Sequence, residues 1–174
     1  MRSLIVGGSK SGKSSYAQTL AASFKNTKYY WACMEPRDDE DKRRIEAHIK
    51  ARDGLNFITI ECPRNIADNI PEEISGGTVL FDSVTALLSN EMFCGNTVLN
   101  VDEKLADDLL TLSLSCENFI CVADDIFSDG VEYDEITEEF RRELAFILKR
   151  LAKEFDRVCE VTAGIPHIIK GNVI

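Results

Sequence analysis

Short, nearly continuous apolar runs alternate along this chain with longer stretches in which apolar residues recur every three or four positions. The runs, such as Leu4-Ile5-Val6 and Val79-Leu80-Phe81, read as buried strands, and the periodic stretches read as amphipathic helices. The pattern predicts strands at 2–6, 28–33, 56–61, 78–82, 118–123 and 157–162, and helices at 13–24, 39–52, 65–74, 84–93, 103–115 and 136–155. Such alternation builds an α/β fold, a mostly parallel sheet flanked by helices on both faces. Asn26-Thr27, Gly76-Gly77 and Asp129-Gly130 are turn signals between elements, and no linker, repeat or low-complexity tract interrupts them. Residues 1–174 therefore read as one domain. The polar stretch 126–135 follows the fifth strand. Ligands bind at the carboxyl ends of strands in open α/β sheets, so this loop is a candidate substrate lid.

The junction of the first strand and first helix carries the strongest chemical signal. Gly7-Gly8-Ser9-Lys10-Ser11-Gly12-Lys13-Ser14 satisfies G-x-x-x-x-G-K-[ST], the phosphate loop, between a strand and a helix as that loop requires. Its glycines let backbone N–H groups surround a phosphate at a helix N-terminus. Lys13 is placed to reach the outer phosphates and the Ser14 hydroxyl to ligate Mg²⁺. The chain is thus expected to bind a nucleoside triphosphate.

Charge narrows the partners. The net charge is −10 and the Lys and Arg residues are scattered, which argues against nucleic acid, since phosphate-backbone binding needs a basic face. Six cysteines show neither C-x-x-C nor a zinc-ligand spacing with histidine, and most lie in or beside predicted strands, where free cysteine acts as a small hydrophobe. No run approaches membrane-spanning length, and the first apolar run ends at Val6 in the phosphate loop rather than in a cleavage site. The expected setting is cytoplasmic, with reduced thiols.

Two further features bear on chemistry. Val79-Leu80-Phe81-Asp82 is an apolar strand ending in aspartate, the shape that sets a carboxylate near a phosphate-loop metal; the same shape also serves as a helix cap. His48 lies one helical turn from Arg44 and from Arg52, so the three share a face. A neutral imidazole there is a nucleophile, and the guanidiniums can hold a phosphate beside it. Helical pattern alone is better served by a solvated helix with one exposed histidine. His167 reads as a loop residue.

Nearly the whole chain resembles the bifunctional adenosylcobinamide kinase/adenosylcobinamide-phosphate guanylyltransferases of cobalamin biosynthesis. The likeness runs through Leu4–Ser14 and Tyr30-Trp31-Ala32. Its most specific stretch is Asp39-Glu40, Arg44-Ile45, His48, Arg52, Phe57 and Glu61, with Phe57 in place of the family's tryptophan. Asp82-Ser83-Val84-Thr85, Asn90, and Gly164-Ile165-Pro166 through Lys170 continue it. The resemblance implies a RecA-like P-loop NTPase core. It also implies phosphorylation of adenosylcobinamide by ATP or GTP, followed by transfer of GMP from GTP through a guanylylated histidine, here His48. Nucleotide contacts then fall on the phosphate loop, on Ala32, Cys33 and Met34, on Ile49, Lys50, Ala51 and Arg52, and on Glu61 and Asp82. Ser14 and Asp82 would serve Mg²⁺, and a homo-oligomer, typically a trimer, is implied.

The departures cluster in the last third. Where the family commonly has Asn-Glu-Val-Gly and then Gly-Ile-Val-Pro, this chain has Asp124-Asp125-Ile126-Phe127 and Gly130-Val131-Glu132. The next helix keeps Phe140-Arg141 but carries Arg142, Ala145, Leu148 and Lys149. These positions bear on the corrinoid site or a subunit interface. An enzyme with only one of the two activities, one acting on another acceptor, and a GTP-binding switch without turnover remain the alternatives.

Overall fold

A computed structural model describes residues 1–36, 38–95, 97 and 99–172, with all their side chains except those of Arg44 and Ala51. The predicted strands form as β1 (Arg2–Gly7), β2 (Lys28–Ala32), β3 (Phe57–Glu61), β4 (Thr78–Asp82), β5 (Asn118–Asp124) and β6 (Arg157–Thr162), and a seventh, β7 (Ile165–Lys170), joins them. They make one sheet in the order β3-β2-β4-β5-β1-β6-β7. Every pair is parallel except β6 with β7. The helices are α1 (Lys13–Ala22), α2 (Asp39–Ala51), α3 (Val84–Met92), α4 (Asp102–Leu114) and α5 (Glu135–Glu154).

The central strands are apolar without alternation because both of their faces are covered. Ile5, Leu80, Ile120 and Val122 pack with Ala17, Leu20 and Ala21 of α1 on one face. Leu4, Phe81, Phe119 and Cys121 pack with α3, α4 and α5 on the other. There Trp31, Phe81, Phe119 and Phe155 form a continuous ring series with successive centroids 6.3, 6.0 and 5.8 Å apart. Each such buried side chain contributes about 1.5–3 kcal/mol of transfer free energy. Asp38, Ser83 and Asp134 cap α2, α3 and α5, each accepting from a backbone N–H in the first turn.

Two predicted segments come out differently. Residues 65–74 form two short 3-10 turns, Ile66–Asn69 and Glu72–Ile74, rather than one helix. Pro71 falls between them, and its missing N–H and crowding ring break the helical ladder. Residues 165–170, His167 among them, form β7 instead of a loop. Ala163 and Gly164 both have positive φ, 51° and 80°, which suits a two-residue hairpin turn, and Pro166 is tolerated because β7 is an edge strand.

Helix α2 stands apart from this packing. None of its described side chains is fully buried, although Ile45 and His48 are half-buried. It sits over the β2–β3 side of the sheet with little holding it down.

Candidate active site

The phosphate loop is shaped by close approach on the β6 side. A Cβ on Gly7 would lie 2.5 Å from Ser11 Oγ and 2.6 Å from the Val161 carbonyl, so only glycine fits. Gly12 adopts φ +94°, and a side chain there would meet the Gly164 backbone at 3.1 Å. The Gly164 N–H donates to the Ser11 carbonyl at 2.7 Å, so the β6–β7 turn clamps the loop from outside. Ser11 Oγ is buried and has no hydrogen-bond partner among the described residues.

Lys13 folds inward. Its Nζ donates to the Gly8 carbonyl at 3.1 Å and lies 2.7 Å from Asp124 Oδ1. Asp124 is the last residue of β5, in register with Gly7. Its N–H donates to Thr85 Oγ1 at 2.9 Å, and the N–H of Asp125 donates to the Gly7 carbonyl at 2.9 Å. The carboxylate beside the phosphate-loop lysine therefore comes from β5, not from β4.

A cleft of about 730 Å³ opens over the carboxyl ends of β2, β3 and β4, roofed by α2. That volume suits a nucleotide. Ala32, Met34, His48, Ile49, Arg52, Glu61 and Asp82 line it; no phosphate-loop residue does. Cys33 faces the core instead, where Asn90 Nδ2 donates to its carbonyl at 2.6 Å, and Lys50 is exposed outside the cleft. The side chains of Ala51 and Arg44 lie outside the described residues.

Within the cleft, His48, Asp82 and Tyr30 meet. The Tyr30 hydroxyl donates to Asp82 Oδ2 at 2.8 Å, and His48 Nδ1 lies 3.4 Å from both. Burial first, then the Asp82 charge, pushes the Tyr30 phenol far above its ordinary range, so it stays a proton donor. The Arg52 guanidinium lies over the Tyr30 ring, 3.4 Å from its centroid, and Phe57 meets that ring edge-on at 6.3 Å. Arg52 is only 8% exposed, yet its Nη1 has no hydrogen-bond partner among the described residues. A buried guanidinium with an unmet donor in a cleft is suited to an anion.

The walls are braced from behind. Arg64 forks onto the Glu35 carboxylate at 2.8 and 2.5 Å while its Nε donates to the Asn90 carbonyl at 3.0 Å. The loops after β2 and β3 are thereby tied to each other and to α3.

Among the described residues no cluster of three or more His, Cys, Asp or Glu could by itself hold a metal ion. Mg²⁺ does not require one: it takes one or two protein oxygens and completes its shell with phosphate and water. Ser14 at the start of α1 and Asp82 at the end of β4 supply hard oxygens of that kind. The donor chemistry fits.

Asp124, beside the phosphate-loop lysine, carries no motif in the sequence, although the apolar run of β5 ends in aspartate just as β4 ends in Asp82. Tyr30 is hidden in sequence because a tyrosine on a buried strand reads as core. The Arg64–Glu35 fork joins residues 29 positions apart and has no local signature.

Comparison with known proteins bears on these features. Residues 3–169 match the family described as cobinamide kinase / cobinamide phosphate guanyltransferase. The bifunctional adenosylcobalamin biosynthesis protein CobP of Pseudomonas aeruginosa is 30% identical over 177 residues, covering 98% of each chain. The protein CobU of Salmonella typhimurium, with the same bifunctional description, is 25% identical over 98% of this chain and 100% of its own. Among solved structures, the flagellar accessory protein FlaH of Methanocaldococcus jannaschii superposes with a TM-score of 0.53 at 17% identity, covering 98% of this chain and 78% of FlaH. A type III secretion ATPase from pathogenic bacteria gives 0.51 at 13% identity, covering 92% of this chain and 51% of its own. These two likenesses speak to the fold alone, that of P-loop NTPases.

Proposed function

The chain belongs to the cobinamide kinase / cobinamide phosphate guanyltransferase family, and we propose that it carries out both reactions on a corrinoid, adenosylcobinamide. In the first, ATP or GTP phosphorylates the substrate hydroxyl. In the second, GMP passes from GTP to the new phosphate through His48, and pyrophosphate leaves. The observation that carries this reading is the contact of His48 with Asp82 and Tyr30 in a nucleotide-sized cleft.

Each residue has a definable task. Lys13 neutralises the outer phosphates once they displace its present partner Asp124. Asp82 accepts from Nδ1–H of His48, which leaves the Nε2 lone pair to attack the α-phosphorus. Tyr30 holds the Asp82 carboxylate in place. Arg52 offers its unmet Nη1 donor to an anion in the cleft. Ser14 and Asp82 would hold Mg²⁺, which when bound stabilises charge on the triphosphate and on departing pyrophosphate. Helix α2, lightly held, can swing His48 onto bound nucleotide, so the cleft and the phosphate loop need not be joined before closure.

The family likeness also supports a homo-oligomer, a trimer, working in the cytoplasm with the whole of residues 1–174 as one catalytic unit. Among the described residues no helix is long and apolar enough to cross a membrane.

The test is incubation with α-labelled GTP and Mg²⁺. A phosphoramidate on His48 keeps its label in alkali and loses it in acid. No protein-bound label, with phosphorylation of adenosylcobinamide intact, would reduce the chain to a kinase; GTP binding with neither product would make it a switch.

A further inference from the structure

Two consecutive tyrosines on β2 face opposite sides of the sheet and are used differently. Tyr29 packs into the core with Trp31, and its hydroxyl donates to the Glu73 carbonyl at 2.6 Å. Tyr30 faces the cleft, where its two ends meet two different residues of α2 and its cap. We propose that Tyr30 is the positioning residue of guanylyl transfer: its hydroxyl fixes the carboxylate that orients His48, and its ring seats the Arg52 guanidinium that holds the nucleotide. The assignment rests on the two-reaction reading above.

Sheet register explains the reach of the hydroxyl. Tyr30 pairs with Leu80, two residues before Asp82 on β4, and residues two apart share a face. That offset is about 6–7 Å at strand rise, a span that a phenol covers and a leucine does not. The hydroxyl arrives 2.8 Å from Asp82 Oδ2, the same oxygen that lies 3.4 Å from His48 Nδ1. Its direction is set from the buried side, since Tyr30 is only 4% exposed whereas His48 rides on the lightly packed helix.

The ring explains Arg52. His48 and Arg52 stand one helical turn apart, at the end of α2 and its C-cap. Tyr30 lies under that turn, with its hydroxyl at His48 and its ring face 3.4 Å from the Arg52 guanidinium carbon. Phe57 of β3 stands against the ring edge at 6.3 Å. Stacking covers one face of the guanidinium and leaves its in-plane Nη1 donor, unmet among the described residues, for an anion.

In the transfer, His48 Nε2 bonds to the α-phosphorus while the α–β bridging bond breaks, and pyrophosphate leaves with the electron pair. Tyr30 exchanges no proton in this step. It acts on rate through Asp82 and on nucleotide affinity through Arg52.

The test separates the two ends of the side chain. Rapid-quench labelling with α-labelled GTP over a range of concentrations gives a maximal rate and a half-saturating GTP concentration. Tyr30→Phe keeps the ring and removes the hydroxyl. Its maximal rate should fall about tenfold or more, as for a lost hydrogen bond to a charged group, with half-saturation unchanged within about twofold. Arg52→Met should raise the half-saturating GTP concentration about tenfold or more. Tyr30→Leu should combine a slower rate with a rise in half-saturation of about fivefold or more. In the Arg52→Met background, Tyr30→Leu should cost no further affinity, because the ring acts there only through Arg52. A wild-type maximal rate in Tyr30→Phe overturns the assignment, and so do additive affinity losses in the double variant. Tyr30→Phe leaves the core volume nearly intact and decides the matter even where Tyr30→Leu does not fold: rate and affinity falling together in it make Tyr30 an ordinary core residue. Each of these outcomes leaves the two-reaction reading standing, whereas absence of label on wild-type His48 overturns that reading and the assignment with it.

Discussion

His48 Nδ1 and Asp82 Oδ2 stand 3.4 Å apart across the cleft, one on a lightly packed helix and the other at the end of a fully buried strand. In the proposed mechanism the pair couples a movable nucleophile to a fixed orienting group. The spacing is long for a hydrogen bond, and nucleotide-driven closure of α2 would shorten it. His48→Ala should abolish protein-bound GMP and guanylyl transfer while leaving most kinase activity, because γ-transfer does not pass through the imidazole. Asp82→Asn should retain His48 but lower the rate of label uptake by about 10²-fold or more, since an amide favours the wrong tautomer. Rapid-quench measurement of labelling reads both; full guanylyl transfer by His48→Ala would sink the mechanism.

The proposed mechanism uses Lys13 in both reactions. Lys13→Ala should eliminate both and weaken triphosphate binding, each lost charge-assisted contact being worth about 1.5–3 kcal/mol. Because Lys13 also neutralises Asp124, the variant leaves that carboxylate unpaired and should also lower the denaturant midpoint. Unchanged nucleotide affinity by calorimetry would show that the loop does not hold phosphate.

Much of this architecture was legible in the chain. The six parallel strands follow from apolar runs that need burial on both faces, and the phosphate loop follows from glycine at positions such as Gly7, where any Cβ would strike Ser11 and Val161. His48, Arg52 and Glu61 line one cleft; helical spacing joined the first two, and the family resemblance the third. What escaped was long-range or masked by polarity. β7 pairs only with β6, and its short, largely exposed residues with Pro166 carry little strand signal. Pro71 divided an otherwise helical pattern. Asp124 came into view beside the phosphate loop only once β5 was found beside β1. Arg52 shares a face with His48 as expected, but its packing down onto Tyr30, where the aromatic ring outcompetes water for the planar guanidinium, has no local signal.

The clamp on the phosphate loop predicts a stability effect separate from chemistry. Gly7→Ala forces a methyl to within 2.6 Å of the Val161 carbonyl, so β1 or β6 must shift. Overpacking of this kind costs about 1–3 kcal/mol. Denaturant unfolding should show a lower midpoint with an unchanged slope, accompanied by weaker GTP binding. Gly8→Ala is the control: an added Cβ there meets nothing within 4 Å, so the midpoint should stay near wild type. Equal midpoints for the two variants would remove the clamp.

Buried thiols set the response to alkali. Burial pushes the Cys116 thiol from its ordinary value of 9.0 up to about 11, and burial also raises Cys33 and Cys121. In the unfolded chain these thiols ionise near that ordinary value of 9.0. Between that pH and the folded value the unfolded state binds fewer protons than the folded one, so stability falls as pH rises. The slope is about 1.4 kcal/mol per pH unit for each such group. Below pH ~8 the three thiols contribute no slope. Above it, unfolding free energy should decline steadily, and Cys116→Ala should decline more shallowly by one group's share up to its folded value of about 11. Parallel curves for wild type and Cys116→Ala from pH ~8.5 to ~10.5 would mean that Cys116 is already ionised, and so accessible, in the folded protein.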